Sequence, residues 1–282
     1  MAVDEAILRE VGAHRAPPTL RLYSWARPTL SLGANQGAEV VNRERLQALG
    51  YDLVRRPSGG RAVLHDREVT YSVVLPLDLP ELPAGVIASY RYLSRALLAG
   101  LTRLGVPVDL YGPHAPFTSG AVRWAERSSA EEEASGSRRG RGRAAGAACF
   151  ASSSWYELIA GGRKLVGSAQ VRRYGGLLQH GSILLHLDEG LFLSLLNHEE
   201  QDDHEEAIRA LRGHATALDR VLGREVAWQE VADAVVAGFC QALGITLEPG
   251  TLTAREQELA LMLEGEKYGS DSWTLRRCEF NH

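Results

Sequence analysis

The sequence predicts an α+β protein with a mainly antiparallel or mixed sheet. Strand-like and helix-like stretches succeed one another without regular βαβ units. Three strand-like runs after residue 155 are joined by glycine turns, as in a meander. Beyond Asp188 the pattern turns helical.

Residues 4–11 read as a short helix. Residues 19–25 alternate in period two, with Leu20, Leu22 and Ser24 opposite Arg21, Tyr23 and Trp25, and predict a strand. Ala26-Arg27-Pro28 is a turn, and residues 29–32 form a second strand. Over 40–49, Val41, Leu46 and Leu49 recur at helical spacing, with Gly50 as the stop. Residues 52–56 are strand-like, and Pro57-Ser58-Gly59-Gly60 breaks them. Residues 62–64 and 69–75 flank the polar His65-Asp66-Arg67-Glu68, as the arms of a hairpin would. Tyr90, Leu93, Leu97, Leu101 and Leu104 mark an amphipathic helix over 86–104.

Residues 119–148 differ in kind. They carry a Glu131-Glu132-Glu133 block followed by Arg138-Arg139-Gly140-Arg141-Gly142-Arg143. So little apolar surface cannot offset the entropy of ordering, and the expectation is a disordered insertion with a solvated arginine cluster. Residues 155–160 and 163–172 then form a hairpin about Gly161-Gly162. Tyr174-Gly175-Gly176 turns into a third strand over 177–187. Residues 199–222 are charged and amphipathic. Trp228, Val231, Val235, Phe239 and Ala242 mark a helix stopping at Gly244, and Thr253 is placed as the N-cap of another.

Composition narrows the function classes. Lys plus Arg number 31 and Asp plus Glu 35, a net charge of −4, which argues against a dedicated nucleic-acid binder. No apolar run reaches the roughly 18 residues of a membrane span. The acidic start, Asp4-Glu5, lacks the basic region of a secretory signal. Cys149, Cys240 and Cys278 are widely spaced and odd in number, which excludes a disulfide scaffold and a CxxC zinc site and fits a cytoplasmic location. His198, His204 and His214 show no metal-ligand spacing, so no metal is expected.

Several residues carry possible chemistry. Gly59-Gly60-Arg61 follows a strand but matches neither a GxGxxG nor a P-loop pattern. Its glycines either form a simple tight turn or bring backbone N–H groups close to a ligand. Arg55, Arg56 and Arg61 around it are either solvated or suited to an anionic or carbonyl-bearing ligand. Cys149, beside the arginine-rich insertion, is a candidate nucleophile or an inert thiol. Cys240 lies on an apolar helix face and reads as structural. Lys164 shares a strand face with Val166, so it is partly buried or snorkels to water. His65 is open between ligand, base and turn residue. Ser182 is not in a GxSxG elbow, so a serine hydrolase is excluded.

In combination these signals are recognisable. The run from Arg55 through Asp66, followed by Glu68-Val69-Thr70-Tyr71-Ser72, resembles the lipoate and biotin protein ligase superfamily. Cys149-Phe150, Ser154-Trp155-Tyr156-Glu157-Leu158, the run Gly162 through Gln170, and Leu178-Gln179-His180-Gly181-Ser182 resemble the LipM-type octanoyltransferases within it. The resemblance implies a large sheet and a smaller sheet with flanking helices in one catalytic domain over 1–282, helical from about 190. It implies transfer of an octanoyl group from octanoyl-acyl carrier protein to a lysine of a lipoyl domain, of the glycine cleavage H protein type. No cofactor is implied.

The family nucleophile maps onto Cys149 and the family lysine onto Lys164. Arg56, Ser58, Gly59, Gly60, Arg61, His65, Gly167, Ser168 and Gln170 are the expected substrate-binding residues. Two related activities share these motifs. An amidotransferase would take the acyl group from H protein, and an ATP-dependent lipoate ligase would form an acyl-adenylate. Against the ligase, Arg61 stands where such enzymes usually carry a third glycine, and Arg67-Glu68-Val69 replaces an asparagine-containing stretch.

Overall fold

Period-two alternation puts one apolar row on each face of the central strands, so both faces must be covered. The computed structural model describes residues 1–111, 157–197 and 204–276. Among these, the strands in chain order are β1 (Thr19–Tyr23), β2 (Thr29–Leu32), β3 (Asp52–Arg55), β4 (Val63–His65), β5 (Glu68–Pro76), β6 (Val108–Leu110), β7 (Leu158–Ala160), β8 (Arg163–Arg173) and β9 (Gly176–Leu184). They form a six-stranded antiparallel sheet, in the order β1-β5-β9-β8-β7-β6, and a three-stranded sheet, β3-β2-β4. In the small sheet β2 runs parallel to β3 and antiparallel to β4. The expected α+β class holds, and β7-β8-β9 is the expected meander.

One expectation is corrected. Residues 62–64 and 69–75 are not the arms of a hairpin. β4 pairs with β2 in the small sheet, and β5 pairs with β1 and β9 in the large one. The polar turn carries the chain between sheets, a crossing whose local sequence is the same as that of a hairpin turn. The predicted helix over 40–49 is shorter as well. It is a single 3-10 turn, Ala38–Val40, followed by a helix over Arg43–Ala48 that starts on the Asn42 cap.

Helix α1 (Ala2–Gly12) packs Ile7, Leu8 and Val11 on Val74 and Leu178 of one sheet face. With Arg43–Ala48 as α2, helix α3 (Val86–Arg103) covers the opposite face. There Leu93, Leu97 and Leu101 meet Tyr71, Val73 and Leu177. Full burial of each such side chain contributes about 1.5–3 kcal/mol. The helical C-terminal part follows as α4 (Glu189–Ser194), α5 (His204–His214), α6 (Leu218–Leu222), α7 (Trp228–Leu243), α8 (Ala254–Leu263) and α9 (Asp271–Thr274). Phe192 of α4 and Leu211 of α5 share a core with Leu30, Leu32 and Val63 of the small sheet. Thr253 caps α8 in a reciprocal capping box with Glu256, as expected from the sequence. Cys240, read as a buried structural residue, is only half-buried.

α7 crosses α3 at two glycines. A Cβ at Gly238 would stand 2.5 Å from the Ala96 carbonyl and 2.6 Å from Gly100 Cα. Backbone cannot yield as a flexible side chain does, so Gly238→Ala should lower stability by about 1–3 kcal/mol in urea denaturation.

Candidate active site

The small sheet lies against the α1 face of the large sheet, and a cavity of about 180 Å³ opens between them. Its walls come from the loop after β3 (Gly59, Gly60, Arg61), from β2 and β4 (Ser31, Val63, His65), and from β8 and β9 (Lys164, Gly167, Ser168, His180, Ser182).

The glycine loop is held from within. Gly60 has φ 98°, a left-handed value that favours glycine, and a Cβ on Gly33 would overlap the Gly60 carbonyl. Arg56 donates to the carbonyls of Gly59 (2.9 Å), Arg61 (2.7 Å) and Ser31 (3.3 Å), and to the Ser31 hydroxyl (3.1 Å). Its guanidinium therefore shapes the loop that faces the cavity. Arg55, the preceding residue, is fully buried. It donates to the carbonyls of Gly33, Gln36, Trp273 and Thr274 and does not line the cavity.

Lys164 is 2% exposed, so it does not snorkel to water. Its Nζ donates to Glu157 Oε1, and Glu157 is equally buried. The Lys164 backbone is fixed from the other side, where its carbonyl accepts from Thr216 N at 2.9 Å. An ammonium in a dry site needs such a carboxylate, because burying the charge alone would be prohibitive.

Two histidines face the cavity from opposite sheets. His65 Nε2 meets Ser31 Oγ at 2.7 Å, and His65 Nδ1 meets Glu68 Oε1 at 2.7 Å. Glu68 also accepts from Thr70 and Ser182. Trp25 stacks on the His65 ring at 4.4 Å and donates its indole N–H to Thr70 at 2.9 Å. On the large sheet, His180 Nε2 bonds Ser58 Oγ, and its Nδ1 lies 3.8 Å from Asp4 Oδ2. Asp4 is fully buried and accepts from Arg21 (2.8 Å), Tyr23 (3.0 Å) and Ser72 (2.9 Å). Burial alone would raise the Asp4 carboxyl, but His180 and nearby positive charge, including Arg21, outweigh it and hold the group far below the usual carboxylate range. Burial pushes the His180 imidazole below its ordinary value, against the pull of Asp4.

Of the residues expected from the sequence, Arg56, Gly59, Gly60, Arg61, His65, Lys164, Gly167 and Ser168 line one cavity. Ser58 sits behind it on His180. Gln170 is elsewhere: it bonds Gln179 and Ser89 at the start of α3, on the opposite sheet face. Cys149 and the expected insertion over 119–148 lie outside the described residues. Ser31, Glu68, Thr70, Glu157, His180 and Ser182 escaped assignment as site residues. All but Ser31 stand inside the quoted motifs, so the signal was present without a partner to interpret it.

The fold is that of the lipoate protein ligases. The chain belongs to the lipoyl protein ligase A/B catalytic-domain family, whose description matches residues 1–240. Within that family it is an octanoyltransferase of the LipM group. It is 44% identical to octanoyltransferase LipM of Symbiobacterium thermophilum over 278 residues, covering 98% of this chain and 93% of that one. It is 45% identical to LipM of Kyrpidia tusciae, covering 98% and 94%. The fold matches a bipartite lipoate protein ligase from Thermoplasma acidophilum with a TM-score of 0.73 at 24% identity, over 99% of this chain and 92% of that one. No described helix is long and apolar enough to cross a membrane.

The His180 environment has a pH consequence. Below the ordinary histidine value of about 6.5, the unfolded chain binds a proton that the folded chain resists, so stability falls as pH falls through that window. The urea midpoint should drop between pH 7.5 and 5.5. His180→Gln should show a shallower drop over the same range.

Proposed function

We propose that the cavity binds the acyl group of octanoyl-acyl carrier protein and that Cys149 accepts it as a thioester. A lysine of a lipoyl domain, of the glycine cleavage H protein type, then takes it as an amide. The observation that carries this reading is the buried Lys164–Glu157 pair facing a glycine-loop cavity, in a chain of the LipM group.

The chemistry needs no external energy source. The Cys149 sulfur forms a bond to the acyl carbon as the bond to the carrier's sulfur breaks, and the proton passes from one thiol to the other. Thioester exchange of this kind costs little free energy. The acceptor amine then forms the C–N bond as the C–S bond to Cys149 breaks, and an amide is more stable than a thioester.

Each step develops negative charge on the acyl oxygen, and donors fixed in advance at that position lower the barrier. Lys164 is such a donor, since Glu157 keeps its ammonium in place on the cavity wall. Ser168 supplies a second. β7 ends against Val166, so from Gly167 onward β8 has a ladder neighbour on only one side among the described residues. Gly167 and Ser168 line the cavity along this stretch.

Intact-protein mass after incubation with octanoyl-acyl carrier protein, without ATP, tests the reading. The wild type should gain one octanoyl group, Cys149→Ser should gain none, and H protein should discharge the adduct. Octanoyl-adenylate formed from ATP, with no adduct from any thioester donor, would make the chain a ligase and overturn the reading. Lys164→Met should slow turnover by about 10²–10³-fold while octanoyl-carrier binding persists.

A further inference from the structure

The amide-forming step has a proton surplus that the proposed function leaves unassigned. An acceptor lysine arrives as an ammonium, with three protons, and leaves as an amide N–H, with one. The Cys149 thiolate takes one of the two protons lost. The other must leave before the amine attacks, because a protonated amine has no lone pair. Lys164 Nζ is already engaged by Glu157.

We propose that Ser31, His65 and Glu68 form the relay that takes this proton, with His65 as the base. The hydrogen bonds define a direction. Glu68 Oε1 accepts from His65 Nδ1–H, which leaves Nε2 as the acceptor. Ser31 Oγ donates its one proton to Nε2 and accepts from Arg56 Nη1. A hydroxyl oxygen has two lone pairs, so one remains for an N–H in the cavity, which Ser31 lines. The ammonium N–H passes its proton to Ser31 Oγ as the Ser31 proton moves to His65 Nε2. The N–H electron pair stays on the amine nitrogen and forms the bond to the acyl carbon. The imidazolium is stabilised by the Glu68 carboxylate behind it and held by Trp25.

The chemistry suits an imidazole, which can accept a proton at one ring nitrogen while the other stays hydrogen-bonded. The charged and titratable groups around the ring are Glu68 behind it, Arg56 through Ser31, and Arg61, Lys164, Glu157, His180 and the amino-terminal Met1 around the same cavity. The relay rests on the transferase reading, since it acts only on an acyl-enzyme.

Single-turnover discharge of isolated octanoyl-enzyme separates the possibilities. The same preparation is offered either the lipoyl-domain lysine or hydroxylamine, a nucleophile that is already neutral at pH 7 and needs no base. For Ser31→Ala and His65→Gln, discharge to hydroxylamine serves as the internal reference for any change in the cavity wall, and the relay is read from the ratio of lysine to hydroxylamine discharge rates. Their transfer to lysine should slow by about 10²-fold or more, and should then rise about tenfold per pH unit, as expected when the free amine must form unaided. Equal slowing toward both nucleophiles would make the residues merely structural and overturn the relay, as would an unchanged pH profile for lysine transfer. If the wild type forms no octanoyl-enzyme at all, the transferase reading fails first, and the relay falls with it.

Discussion

His65 and Glu68 stand three residues apart, in different sheets, and the hydrogen bond between them ties the two layers together. Glu68 gathers donors from His65 of the small sheet, from Thr70 on its own strand and from Ser182 on β9. A buried carboxylate gives up water only in exchange for such donors. This constraint keeps the wedge between the sheets polar along one wall. An apolar seam there would close by packing side chain against side chain, as it does farther along, where Leu184 meets Leu30 and Leu32. The cavity persists because its neighbours are satisfied by fixed hydrogen bonds instead.

Two buried lysines make the same pairing in different places. Lys267 donates to Glu5 at 2.6 Å and lies 4.2 Å from the Trp273 ring. Burial lowers its ammonium from the ordinary lysine range, and Glu5 opposes that. Burial would raise Glu5, but the hydrogen bonds from Lys267 and Tyr268 outweigh it and hold the carboxyl low. That pair joins the C-terminal segment to α1 and does not line the cavity. Lys164 and Glu157 make the same contact on the cavity wall. Charge and burial do not separate the two pairs; access to the cavity does.

The sequence was legible where its signals are local. The meander declared itself through alternation broken by Gly161-Gly162 and Gly175, and α3, α7 and α8 through spacing and caps. The destination of β4 was not legible, because a turn between paired strands and a turn between sheets use the same polar residues. Asp4 and Glu5 read as an acidic start, since their partners Arg21 and Lys267 lie 17 and 262 residues away. Gln170 follows the motif into the wrong layer. Alternation sets it with Ser168, whose hydroxyl meets Tyr71, on the face turned toward α3. His180 and Glu157 were in view as letters, and only three-dimensional neighbours give them work.

Arg55 sets an order in time as well as in space. Its guanidinium is completed by the carbonyls of Trp273 and Thr274, 218 and 219 residues farther along. A ribosome adding about 5–20 residues per second needs on the order of ten to forty seconds to reach them. Through that interval Nη1 can meet the Gly33 and Gln36 carbonyls, but Nε lacks its two acceptors. The anchoring of the strand before the glycine loop is therefore completed only near the end of synthesis, although that strand is among the first parts to be made.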